Sequence, residues 1–176
     1  PLQAEYAAIH KGAAIFDMAF RGTVELTGKD RLDLLHRLTT QDVRSLPSGQ
    51  ARRGFLLDKA GHIQADVVVI NLADRTLLDV DLADAPAVAQ AVERMVFSED
   101  VQVRDASADF VHLGLLGPAA PKLLHHVTGQ QPAAIEPAAA WLIDHRGATL
   151  VIHRRDEAGP LGLHVLTPTA IAADVY

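Results

Sequence analysis

The stretch ARRGFLLDKAGHIQADVVVINL, Ala51 to Leu72, decides the fold. Ala51 to Leu57 and Ile63 to Leu72 are apolar, β-prone segments, and Asp58-Lys59-Ala60-Gly61 between them has the composition of a tight turn. The reading is an antiparallel hairpin. Its register stays open: a four-residue connection pairs Leu57 with His62 and hence Arg53 with Asp66, whereas a three-residue connection with Gly61 left-handed sets Gly54 opposite Asp66. The first choice allows a salt bridge, and the second leaves bare backbone where a flat ligand can approach.

Upstream of the hairpin, Gln3 to Lys11 is a helix candidate ended by Gly12, and Arg21 to Thr27 alternates as a strand. That strand sets Val24 and Leu26 on one face and Thr23, Glu25 and Thr27 on the other, so one wet face is expected. Thr27-Gly28-Lys29-Asp30 opens a helix with a Leu32, Leu35, Leu38 stripe. Downstream, Thr76 to Val80 reads as a strand, and Asp84 as the cap of a helix carrying Ala85, Val88, Ala89, Val92 and Met95. Val101 to Arg104, Val111 to Leu116, Trp141 to Asp144, Ala148 to His153 and Gly162 to Leu166 are further strands. Pro118 suits the first turn of a helix through His125, and Pro168 the opening of a last one. Strands and helices in irregular alternation with hairpin signals indicate an α+β fold, with a mixed, largely antiparallel sheet and covering helices.

The 176 residues are read as one domain, residues 1–176, with a possible sub-division near 130–140, where Pro132 to Ala140 is Pro- and Ala-rich. The ends suggest a chain trimmed at both termini, the C-terminal side above all. With 16 Lys and Arg against 22 Asp and Glu, the net charge of −6 argues against a nucleic-acid partner. The chain has no cysteine, which fits a reducing compartment, and no apolar run of membrane-spanning length, so a cytoplasmic protein without membrane association is expected. The 9 His are scattered without a metal-binding arrangement, and no metal is expected. G-x-S-x-G, P-loop and G-x-G-x-x-G motifs are absent, which removes the usual support for hydrolase, nucleoside-triphosphatase and nicotinamide readings.

Asp66 is the residue whose chemistry stands out. Strand parity puts it on the same face as Val68 and Ile70, and an acid beside an apolar run either handles protons or sits in an ion pair. Arg52-Arg53 and Arg154-Arg155 are cations that can meet a carboxylate, although such pairs are usually solvated surface.

Several fragments occur together in order. They are Gly12-Ala13-Ala14-Ile15-Phe16-Asp17-Met18, Gly22 to Leu26, Gly28-Lys29-Asp30, Leu35 to Val43, Leu46-Pro47-Ser48-Gly49-Gln50 and Leu56 to Ile63. This succession resembles the tetrahydrofolate-binding superfamily of the glycine-cleavage aminomethyltransferase (T-protein), clearly to Pro118 and more faintly to Pro168. The superfamily also holds the folate domains of dimethylglycine and sarcosine oxidases and YgfZ-type proteins linked to iron-sulfur cluster maturation.

The resemblance implies an aminomethyltransferase-like folate-binding domain with tetrahydrofolate, or a one-carbon derivative of it, as cofactor. It implies a small-molecule folate partner, a possible protein partner and, if the chain is an enzyme, aminomethyl or one-carbon transfer. Position matching puts Asp66 at the acid near the folate nitrogens, with Ala65 where many T-proteins have a preceding acid. Arg53 becomes a candidate folate contact. The T-protein segments Gly-Tyr-Thr-Gly-Glu and Gly-Phe-Glu correspond to Glu157-Ala158-Gly159-Pro160 and Gly162-Leu163-His164, so Pro160 and His164 stand where the family has carboxylates, and His164 joins the candidate folate contacts. Three functions follow: a folate-dependent one-carbon transferase, a non-catalytic YgfZ-type maturation factor, or a scaffold that has lost folate.

Overall fold

The computed structural model describes residues 2–130, 136, 138–156 and 161–175. The chain forms two compact units, one from residues 20–109 and one from residues 1–19 and 110–176. Most of the 130–140 stretch, and all of Glu157 to Pro160, lie outside the described residues.

In the unit of residues 20–109, the strands are β2 (Arg21–Thr27), β3 (Gln50–Leu57), β4 (Ile63–Asn71), β5 (Arg75–Asp81) and β6 (Gln102–Asp105). They make one sheet in the order β3-β4-β5-β2-β6, antiparallel at every pairing. Two helices, α2 (Arg31–Leu38) and α3 (Ala85–Glu93), pack on one face of it. Period-two and helical spacing converge there: Val24, Leu26, Val67, Val69, Leu78 and Val80 from the strands meet Leu34, Leu35, Leu38, Val88 and Val92 from the helices. The helix starts differ from the expected caps: the N-cap of α2 is Asp30, where the sequence points to Thr27 with an acid three residues on. Neither Asp30 nor Asp84 makes a side-chain cap bond; Asp30 Oδ2 instead accepts the Asp100 backbone N–H, tying the helix start to a distant loop.

The other unit contains β1 (Ala14–Asp17), β7 (Phe110–Leu116), β8 (Ala140–His145), β9 (Ala148–Arg154) and β10 (Gly162–Pro168), in the order β1-β7-β10-β9-β8. All its pairings are antiparallel too. One sheet face, with Leu113, Leu115, Ile143, Leu150, Ile152, Leu163 and Val165, packs on Ala120 and Leu124 of α4 (Ala120–Thr128). The remaining helices, α1 (Leu2–Lys11) and α5 (Ala172–Val175), begin and close the described chain. The α+β class with largely antiparallel sheets and covering helices is therefore observed.

Two local expectations are corrected. The second face of β2 is not wet: Arg21 and Glu25 are each 8% exposed and Thr23 is fully buried. Partners supplied by distant strands make this possible, as Arg21 bonds Asp79 and Glu25 bonds Arg104. The hairpin follows neither proposed register. Leu56 pairs with Ala65 and Leu57 with Ile63, so a β-bulge between Leu56 and Leu57 puts Phe55 opposite Asp66 and Arg53 opposite Val68.

Candidate functional site

The hairpin turn that carries the clearest motif is held by one side chain. Asp58 Oδ1 accepts the backbone N–H groups of Ala60 (2.8 Å) and His62 (2.9 Å), and Gly61, at φ +83°, closes the turn onto the Asp58 carbonyl. The His62 backbone bond is the largest influence drawing the Asp58 carboxyl below its usual range. A second motif segment lies along β3: Thr40 exchanges bonds with Phe55, and a Cβ at Gly54 would stand 2.7 Å from Gln41 Cγ. Gly54 is thus the residue that lets Thr39-Thr40-Gln41 lie on the strand.

These constraints fix the direction of β4 and so the face on which Asp66 sits. Its carboxylate is gripped by Arg53, whose Nε donates to Oδ1 (3.0 Å) and Oδ2 (3.2 Å) and whose Nη2 donates to Oδ2. The ion pair that the sequence allowed is present, but formed diagonally, because Arg53 lies opposite Val68, two residues beyond Asp66 on the same face. The Asp66 side chain is 32% exposed, so the acid is oriented yet accessible.

On the same sheet face, β5 presents Asp79, fully buried and paired in register with Val68 on one side and Thr23 on the other. Arg21 Nε donates to Asp79 Oδ1 (2.8 Å) and its Nη1 to Asp81 Oδ1 (2.7 Å). Two guanidinium-held carboxylates therefore flank Val68, with Ile70 and Leu77 continuing an apolar floor alongside. Sequence reasoning missed Asp79, Arg21 and Thr23. The available signal was the acid set between Leu78 and Val80 in an otherwise apolar strand.

His164 lies in the other unit, in the middle of β10, paired across the sheet with His153 of β9 and with Gly114 of β7. The rings of His153 and His164 are tilted at 53° with centroids 5.0 Å apart. His112, opposite Leu166, is on the same face, and all three histidines are buried. Met18 packs onto the bare backbone at Gly114, where a Cβ would stand 3.1 Å from its sulfur. The structure thus brings Arg53 and Asp66 together, and sets His164 in a histidine-lined face of its own sheet.

The model of the GCVT N-terminal domain family matches residues 1–176. The chain belongs to that family. It is 29% identical over 181 residues to a probable aminomethyltransferase of Halobacterium salinarum, covering 99% of this chain and 50% of that protein. An aminomethyltransferase of Synechococcus sp. is 29% identical over 176 residues, with 99% of this chain and 49% of that protein covered. The chain thus spans about half the length of these family relatives.

Among solved structures, the glycine cleavage system aminomethyltransferase T from Bartonella henselae superposes with a TM-score of 0.83 at 22% identity, over 98% of this chain and 47% of that one. Heterotetrameric sarcosine oxidase from Corynebacterium sp. U-96 superposes with a TM-score of 0.68 at 21% identity, over 98% and 86%. Both likenesses show that the fold is shared. No helix among the described residues is long and apolar enough to cross a membrane.

Proposed function

We propose that this member of the GCVT N-terminal domain family binds tetrahydrofolate, or a one-carbon derivative of it, on the Asp66 face of its sheet, as the folate-holding part of a one-carbon transfer protein. The observation that carries the reading is Asp66 itself. The residue that position matching sets at the family acid lies on a strand face, oriented by Arg53 and one-third exposed. A pterin ring is flat and carries N–H donors along one edge, and a carboxylate is an acceptor with fixed geometry once its partner is fixed. The Asp66 carboxylate, one-third exposed, offers such an edge an acceptor whose plane Arg53 fixes.

Bound folate supplies the nucleophilic nitrogen of the transfer. With folate bound, Asp66 would be the acceptor at that nitrogen, and its charge would stabilise a cation forming there. Arg53 is a positioning residue: its Nε and Nη2 bonds fix the carboxylate plane. Arg53 is also proposed as a further folate contact.

The experiment is a calorimetric titration of the full protein with tetrahydrofolate, repeated with Asp66→Asn, which preserves shape and removes charge. Saturable binding that weakens about tenfold in the variant, equal to about 1.4 kcal/mol, supports the reading. Binding without one-carbon transfer would restrict the role to a non-catalytic folate-binding protein, and absence of binding would leave only a scaffold.

A further inference from the structure

A separate cleft of about 530 Å³ opens on the helix-covered side of the same unit, lined by the ends of α2, β3 and α3 and by the hairpin turn. That volume lies within the range of small-molecule sites, roughly 300–1,000 Å³. Its floor includes Leu56, Leu57 and Met95, and its rim carries Arg37, Lys59 and Arg94. One rim acid, Asp58, is occupied in holding the hairpin turn through Ala60 and His62. Arg37 is matched by Glu99. Arg94 donates to the neutral Gln90 side chain (2.7 Å), and among the described residues neither Arg94 nor Lys59 meets a carboxylate. Two exposed cations thus stand over an apolar floor in a chain whose net charge is −6.

We propose that this cleft binds a small amphipathic carboxylate, with its apolar body on Leu56, Leu57 and Met95 and its head group between Lys59 and Arg94. Charge complementarity selects the ligand: the cations are unmatched from within the fold, and a carboxylate supplies the missing partner. A purely structural explanation exists for one of them. Arg94 is the residue at the C-terminal cap of α3, where a cation offsets the helix dipole. Lys59, in a turn, has no such role.

The two roles separate experimentally. Octanoate and octanol, which share a tail and differ in charge, are titrated into the full protein and into Lys59→Ala and Arg94→Ala, with thermal unfolding measured in parallel. Saturable octanoate binding in about the millimolar range is expected, with octanol at least about tenfold weaker and each variant losing about tenfold in octanoate affinity. The Lys59→Ala melting temperature stays unchanged. Equal binding of octanol, no saturable octanoate binding, or octanoate affinity that survives both substitutions overturns the proposal. An acidic octapeptide that binds more tightly than octanoate and depends on the same two residues overturns it in favour of protein docking.

Discussion

The two sheets solve the same problem with different chemistry. Each buries one face under helices and carries polar groups within the other. In the Asp66 sheet those groups are full charges held by guanidinium groups, as in Arg21 with Asp79 and Arg53 with Asp66. In the His164 sheet they are imidazoles, with His153 and His164 packed ring against ring. The contrast teaches where disruption is costly. A buried ion pair is expensive to break from one side because the surviving charge cannot be solvated, whereas a buried imidazole can remain neutral.

The largest expected effect follows from that difference. Asp79→Leu leaves the Arg21 guanidinium buried beside an apolar side chain, with Asp81 as its remaining acid, and should cost about 3–5 kcal/mol in urea unfolding. Arg21→Met combined with Asp79→Leu should recover most of that loss. A double variant as unstable as the single one would show that the face depends on these groups for something beyond their mutual charge. On the other sheet, His164→Leu should cost less, about 1–3 kcal/mol, the range for removing one hydrogen-bonding side chain from a buried site. A cost equal to that of Asp79→Leu would break the comparison.

Much of this was legible from residue order. Strand alternation located all of β2 to β10 to within about two residues, because each has an apolar face against helices and period two is the direct record of that burial. The short β1 was visible only as part of a family fragment. What stayed hidden has a common cause, which is partners far away in the chain. The polar face of β2 read as solvated because Asp79 is 58 residues beyond Arg21 and Arg104 is 79 beyond Glu25. The hairpin register was miscounted because a bulge at Leu56 and Leu57 has no distinct composition. The candidate site was half legible: Asp66 stood out as an acid in an apolar strand, while the equally placed Asp79 was passed over.

The two hairpins offer a smaller test. Gly61 (φ +83°) and Gly147 (φ +80°) occupy left-handed positions in turns of the two sheets, each with open space where a Cβ would go. Gly61→Ala and Gly147→Ala should each cost about 1–2 kcal/mol, similar in both sheets because backbone strain alone is at work. A much larger loss at Gly61 would show that the Asp58-staked turn tolerates no adjustment.

The smallest effect concerns acid. Glu99 is drawn from an ordinary 4.5 to about 2, first by its bond from Arg37 and then by backbone N–H groups of Phe97, itself and Ser98. A depressed carboxyl stabilises fully above its unfolded value and loses that contribution as pH falls from about 4.5 through about 2. Glu99→Gln should therefore flatten the acid limb of the stability curve in that window and leave it unchanged at higher pH, apart from a constant offset. Side-chain carboxyl NMR across the same window reports the Glu99 titration directly, and a midpoint near 4.5 would contradict the arrangement.

Folate binding at the charged face, with Asp66 in it, is what we propose for this sheet. The most direct measurement is a tetrahydrofolate titration of the full protein beside Asp66→Asn and Arg53→Gln, with heat of binding as readout. Saturable binding is expected, weakened about tenfold by Asp66→Asn and less by Arg53→Gln, which disturbs the carboxylate orientation but leaves its charge. Tetrahydrofolate affinity identical in all three proteins would contradict the proposal.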